Sequence, residues 1–278
     1  APFFDQATLP LWMGILFLMG IGPLLPWRRA PDQTLRGNLL WMALGAVVFG
    51  VASFAFGMRA VYPLVTMTLV GWNLASLALL VTGVVVPRLK IGQRGVAQVL
   101  RQYAFENKRR FGSMVVHFGV LVMAVGIMGS SAYRVDEQIR IDIGSSAPFQ
   151  GYILHARDKF MEQTPGRISA GAVVDLERDG RFVTTLRPRT NVFAGQEMTV
   201  PTPSVMYRPN YDIYLNVAST VGPEQDFVVL RAVMSPLITW IWIGGLIAAL
   251  GTAYALVPGV QGARATRDIK RGLEASQT

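Results

Sequence analysis

Residues 107–133 read NKRRFGSMVVHFGVLVMAVGIMGSSAY, from Asn107 to Tyr133, and the reading of this stretch decides the fold. A basic cluster, Lys108, Arg109 and Arg110, is followed by 23 residues, Phe111 to Tyr133, without a formal charge. As a helix, at ~1.5 Å per residue, such a run spans a bilayer core of ~30 Å. Within it lies His117, one of two histidines in the chain and the one placed in a hydrophobic segment. An ionisable group in hydrocarbon is costly, which makes it a functional-site candidate by default.

Four more long uncharged runs lie outward from this one, at residues 6–27, 37–58, 60–87 and 232–263. Each holds enough mostly apolar residues for a spanning helix. Between Arg134 and Arg231 no uncharged run exceeds 14 residues, so that region is not membrane-embedded. The expected fold is a membrane all-α bundle of five transmembrane helices, with a small extracytoplasmic all-β domain between helices four and five. Helices are expected at about residues 9–27, 39–58, 61–86, 112–129 and 236–257, with Pro87 closing the third and Ser235-Pro236 opening the fifth. The expected layout is helices one to four with a basic loop 88–110 in residues 1–133, the β domain at 134–231, helix five at 232–258 and a tail at 259–278. In the basic loop Val96, Val99, Leu100 and Tyr103 recur at helical spacing, which predicts an amphipathic helix on the membrane surface.

The net charge of +9 is a topology signal. Fifteen Lys/Arg lie outside 134–231, and fourteen of them fall in three places: Arg28 with Arg29 and Arg36, then 88–110, then 264–271. The opposite side receives only Arg59. By the positive-inside rule the N-terminus and β domain are extracytoplasmic and the tail is cytoplasmic. Anionic headgroups of the lipid bilayer are the counter-charges, and no nucleic-acid partner is implied.

Residues 172–178 and 181–187 are rich in Val, Leu, Thr and Phe and are joined by Asp179-Gly180, a strong hairpin signal. Residues 151–156, 211–217 and 227–230 are further strand candidates, enough for a small barrel or sandwich. That domain carries eleven basic and twelve acidic residues, nearly balanced. The chain has no cysteine, which removes disulfides and thiol chemistry. It enters a helix almost at once after Ala1-Pro2-Phe3-Phe4-Asp5, a short head that suggests a split-gene product or a piece of a longer chain.

Three roles are open to His117: ligation of haem iron through a neutral ring nitrogen, proton relay, or a structural hydrogen bond to Thr82 or Thr252. A relay needs partner acids, and the apolar cores of the five helices carry none. Matched depth places Gly22, Gly45, Gly83 and Gly251 near its level, either as room for a flat macrocycle or as sites of close helix packing. His155, on a strand, reads as an ordinary half-buried histidine, and Trp240 and Trp242 as interfacial anchors. Asn73 is expected to make an interhelical hydrogen bond. There is no phosphate loop, HExxH or nucleophile elbow, and no catalytic residue is assigned.

Several segments resemble one family. They are Ala1-Pro2-Phe3-Phe4 leading to Met19-Gly20-Ile21-Gly22-Pro23-Leu24-Leu25, and Asn107-Lys108-Arg109-Arg110-Phe111-Gly112 leading to His117-Phe118-Gly119-Val120. Gly126-Ile127-Met128-Gly129-Ser130-Ser131, Leu186-Arg187-Pro188, Ser235-Pro236-Leu237 and Trp240-Ile241-Trp242-Ile243-Gly244-Gly245 complete them. In this order they resemble the C-terminal portion of the CcmF/NrfE haem lyases of cytochrome c-type biogenesis. Gly112-Ser113 stands where the family more often has two glycines.

The resemblance implies a component that helps attach haem to apocytochrome c outside the cytoplasm, incomplete as an enzyme on its own. It implies that His117 is an axial ligand to haem b iron, shared with a second ligand outside this chain. The family's tryptophan-rich haem-binding segment and its haem-presenting histidines have no match, so substrate haem is not bound by this chain alone. Implied partners are the N-terminal part of the lyase, CcmH/CcmI-like and CcmE-like maturation proteins, and apocytochrome c. The alternatives are a non-catalytic membrane scaffold or a haem transporter. A reporter fused after Arg189 should be active outside the cytoplasm; activity inside would overturn the orientation.

Overall fold

The structure, a computed structural model, describes residues 2–22, 32–91, 95–195, 199–218 and 226–258. The chain forms two compact units, a helical one (Ala1–Met128 with Trp240–Thr278) and a β one (Gly129–Thr239). Six helices are described: α1 (Pro2–Ile21), α2 (Asp32–Ala55), α3 (Val61–Ile91), α4 (Val96–Glu106), α5 (Lys108–Ala132) and α6 (Ile238–Leu256). Four of these, α2, α3, α5 and α6, contain stretches long and apolar enough to cross a membrane. In α1 the apolar stretch is Thr8–Ile21, shorter than a full span. The expected end of that helix at Trp27, with Arg28 and Arg29, lies outside the described residues, as do residues 259–278.

With lipid on one side and apolar side chains on the other, association of such helices rests on close backbone approach and interhelical hydrogen bonds. Both occur. Asn73 Nδ2 on α3 donates to the Leu16 carbonyl of α1 at 2.8 Å, and Ser76 Oγ donates to the Gly20 carbonyl at 2.7 Å. Asn73 is therefore the interhelical donor that its mid-helix position predicts. On α2, a Cβ at Gly45 would stand 2.6 Å from Ala75 Cβ and 2.8 Å from the Gly71 carbonyl. On α5, a Cβ at Gly119 would stand 2.6 Å from the Ala248 nitrogen and 2.7 Å from the Gly244 carbonyl of α6. One at Gly112 would stand 2.6 Å from the Gly251 carbonyl.

Two prolines act differently from expectation. Helix α3 continues through Pro87 to Ile91. The missing backbone bond there is offset by packing of α4 on the last turns: Arg88 lies over the Tyr103 ring and pairs with Glu106 at 3.3 Å. That packing buries Val99 and Tyr103 of α4 inside the protein, leaving Val96 and Phe105 exposed. Pro236 ends a strand instead of starting the last helix. The chain turns at Leu237, which takes a positive φ of 57° and donates its N–H to the Asn210 carbonyl at 2.8 Å.

Among the described residues the β unit holds ten strands: β1 (Val135–Asp142), β2 (Ser146–Phe149), β3 (Tyr152–Thr164), β4 (Arg167–Arg178), β5 (Arg181–Leu186), β6 (Arg189–Phe193), β7 (Thr199–Thr202), β8 (Ser204–Tyr207), β9 (Tyr211–Val217) and β10 (Phe227–Pro236). They form a four-stranded sheet in the order β1-β10-β9-β8 and a six-stranded sheet in the order β2-β3-β4-β6-β7, with β5 on β4. Alternate residues of both sheets fill one core, with Leu154, Val174 and Leu176 from one and Ile213, Leu215 and Leu230 from the other fully buried. The β4–β5 hairpin turns at Asp179-Gly180, both at positive φ, with Arg178 opposite Arg181. In the β1–β10 ladder Arg231 grips Asp136 through bonds of 2.8 and 2.6 Å, and this pairing holds the Asp136 carboxyl below the usual carboxylate range.

Replacing Gly119 by Leu should lower thermal stability in detergent, since overpacking a close contact costs about 1–3 kcal/mol. Gly14→Leu, at a position with no atom within 4 Å of the added Cβ, should be tolerated. Equal melting temperatures for the two variants would show that α5 and α6 are not in backbone contact.

Candidate functional site

His117 sits on α5, one turn before Leu121 and two before Ala124 on the same stripe. Leu121 and Ala124 are buried in a cluster with Leu16 of α1, against which Trp12, Met19, Leu69, Leu74 and Leu77 pack. The imidazole itself is half-buried. Its Nδ1 lies 2.7 Å from the Ser113 carbonyl oxygen, one turn back on the same helix. A carbonyl can only accept, so Nδ1 is the donor in this bond. Fixing one ring nitrogen on a carbonyl is how proteins set the tautomer and orientation of a ligating histidine.

The two threonines weighed as partners are engaged elsewhere. Thr82 Oγ1 donates to Ala78 O at 2.8 Å, and Thr252 Oγ1 to Ala248 O at 2.9 Å, each within its own helix. The structural hydrogen bond expected of His117 is thus to a backbone carbonyl. The family resemblance implies a backbone carbonyl or a threonine as partner of the ring's other nitrogen, and Ser113, at i−4, supplies the carbonyl. Of the glycines matched by depth, Gly45 and Gly251 are packing contacts, while Gly22 and Gly83 face open space. Trp240 and Trp242 are exposed, at 37% and 78%.

His155, on β3, lies in the β unit with its Nε2 3.0 Å from Glu177 Oε2 on β4. Nearby, Asp175 accepts from Arg157 at 3.0 Å and from Thr185 at 2.6 Å. This is a cross-strand polar ladder on a solvated sheet face, and the bland reading of His155 suffices for it. Among the described residues no group of three or more His, Cys, Asp or Glu is arranged to hold a metal ion.

Apolar helices with one β domain inserted between the last two define a membrane-helical protein carrying a single folded domain between neighbouring spans. No family model matches the chain. It is similar to the cytochrome c-type biogenesis protein CcmF of Haemophilus influenzae, 28% identical over 256 residues, which is 90% of this chain and 38% of that protein. CcmF of Pseudomonas aeruginosa is 26% identical over 260 residues, 91% of this chain and 37% of that protein. The probable cytochrome c-type biogenesis protein NrfE of Escherichia coli is 23% identical over 258 residues, 92% and 38% of the two chains. A solved structure, the cytochrome c heme lyase CcmF, superposes with a TM-score of 0.69 at 28% identity, over 93% of this chain and 41% of that one. The chain is thus similar to a C-terminal portion of CcmF and NrfE, and spans well under half the length of these relatives.

The tautomer is directly measurable. In protein labelled with 15N-histidine, His117 should show a protonated Nδ1. The opposite pattern would contradict the Ser113 bond.

Proposed function

We propose that this chain forms the C-terminal part, or a separate subunit, of a cytochrome c haem lyase, and that His117 is one axial ligand of its haem b. The observation that carries the proposal is the His117–Ser113 pair: a half-buried imidazole on a helix, with its Nδ1 held 2.7 Å from a backbone carbonyl oxygen. Similarity to CcmF along nine-tenths of the chain supplies the family context. The donor chemistry fits a haem iron. His117 would hold it from one face, with the second ligand outside this chain. A haem so held would supply a one-electron redox centre.

What the chain's own residues do follows from their places. The Ser113 carbonyl fixes the ring plane. Gly112, Gly119, Gly244 and Gly251 let α6 lie close along α5, so the helix bearing His117 is braced along its length. The Asn73 and Ser76 hydrogen bonds tie α1 to α3. In this reading α1 is the first of five spans, the β domain is extracytoplasmic, and the chain resides in a bacterial inner membrane. The β domain would dock the CcmH/CcmI-like, CcmE-like or apocytochrome c partners. The layout is 1–133 for helices one to four, 134–231 for the domain, 232–258 for helix five and 259–278 for the tail.

Co-purification with the N-terminal counterpart should yield a haem b absorption spectrum. His117→Ala should remove most of that haem or shift its reduction potential markedly, with the helical content by circular dichroism unchanged. Unaltered haem content and potential in the variant would exclude His117 as a ligand and leave the scaffold reading in its place.

A further inference from the structure

The β unit carries a cleft that the haem reading does not use. Two adjoining hollows of about 510 and 260 Å³ share Arg178, Val183 and Arg208. Arg181 and Asp179, in the β4–β5 turn, line the larger; Tyr152 and Tyr211 line the smaller. Three arginines thus face one carboxylate.

The deeper wall is built. Arg178 Nη1 donates to the Tyr211 hydroxyl at 2.7 Å, its guanidinium lies 5.2 Å from the Tyr152 ring centre, and the two phenol oxygens are 2.7 Å apart. Tyr152 is 2% exposed, so this fork is anchored on a buried residue. One phenol hydrogen serves the Tyr–Tyr bond, which leaves the other for a ligand, and the Arg178 guanidinium retains N–H groups beyond the bond to Tyr211. Burial, and then the bond to Tyr152, hold the Tyr211 phenol above its ordinary range, so it remains a donor at physiological pH. Arg178 Nε stands 3.8 Å from Asp179 Oδ2, an ion pair too long for a hydrogen bond. Arg181 and Arg208 form no ion pair among the described residues.

The cleft's address is set by chain continuity. Tyr211 pairs with Pro236, the Leu237 N–H bonds Asn210, and Thr239 Oγ1 donates to the Arg208 carbonyl at 3.3 Å. Thr239 is the second residue of α6, a helix long and apolar enough to cross a membrane. The Arg208 end of the β unit therefore adjoins the point where that helix begins. Exposed aromatics flank the arginines: Phe182 is 66% exposed beside Arg181, and Tyr207 is 72% exposed beside Arg208. Arginine interleaved with exposed aromatics at the start of a spanning helix is the composition of a membrane–water interface. A soluble anion would need no such aromatic rim.

We propose that Arg178, Arg181 and Arg208, with the Tyr152–Tyr211 pair, bind the phosphate of an anionic phospholipid headgroup at the membrane face of the β unit. The Arg178 fork takes the phosphate oxygens through parallel N–H bonds, Arg208 and Arg181 close over it, and Phe182 rests among the lipid headgroups. The site is independent of the haem reading.

The full chain in phosphatidylcholine nanodiscs doped with phosphatidylglycerol bearing a photoreactive headgroup tests this. Irradiation should label the peptides containing residues 178–183 and 207–211. Arg208→Gln, which breaks no ion pair, should lower that labelling about fivefold, the scale of one cation at an anionic surface. Arg208→Lys should retain most of it, and labelling of the 108–110 peptide should stay constant. The proposal fails if these peptides are unlabelled, if Arg208→Gln leaves them fully labelled, or if a phosphatidylcholine probe labels them equally. It fails also if inorganic phosphate equimolar with the lipid abolishes the labelling, since the site would then be one for free phosphate.

Discussion

The arrangement around His117 depends on the glycine seam between α5 and α6. Gly112 and Gly119 lie seven residues apart, on one stripe of α5, and meet Gly251 and Gly244 across the seam. A Cβ at any of the four would stand within 3 Å of a partner atom, so only glycine permits the approach. His117 follows Gly112 by five residues, which turns it roughly 140° away from the seam. Close packing on one face of α5 is therefore what keeps α6 off the imidazole. A seam of larger residues would let the two helices slide or rotate, and the histidine's face would no longer be defined.

The same logic separates what could be read from the sequence from what could not. Charge-free runs revealed the apolar helices because hydrocarbon penalises every ion alike, and Asp179-Gly180 revealed its hairpin because few residues accept positive φ in succession. His117 stood out by rarity. Its partner did not, since a backbone carbonyl leaves no mark in the residue alphabet, and two threonines drew attention to themselves by being polar. Pro87 and Pro236 depart from their local preference for a related reason. Proline's local preference is strong, yet α4 packed on the end of α3 outweighs one lost helical bond, and the Tyr211–Pro236 pairing holds the second proline in a strand. Tertiary contacts of that kind lie beyond any window of neighbouring residues.

Charge counting misled in another way. Over the β region eleven basic residues nearly cancel twelve acidic ones, a balance that says nothing of where they lie. The fold sorts them. Asp175, Glu177, Asp136 and Glu162 each stand beside a cation or histidine on the sheet faces, whereas Arg181 and Arg208, far apart in sequence, converge with Arg178 on one cleft. A balance sheet over 98 residues cannot detect this, because the turn at 179–180 and the 208–210 loop come together only through the stacking of the two sheets.

The strands that join the β unit to its flanking helices also bear on how it is held. β1 begins three residues after α5 ends, β10 ends two before α6 begins, and the two strands are hydrogen-bonded neighbours from Val135–Met234 to Asp142–Phe227. A domain hung between two helices on separate loops would need its fold and its attachment stabilised independently. Here the attachment is itself a ladder of the core sheet, reinforced by the Asp136–Arg231 pair. Loosening the connection means unpairing the sheet, so the inserted domain and its tethers should open as one cooperative unit.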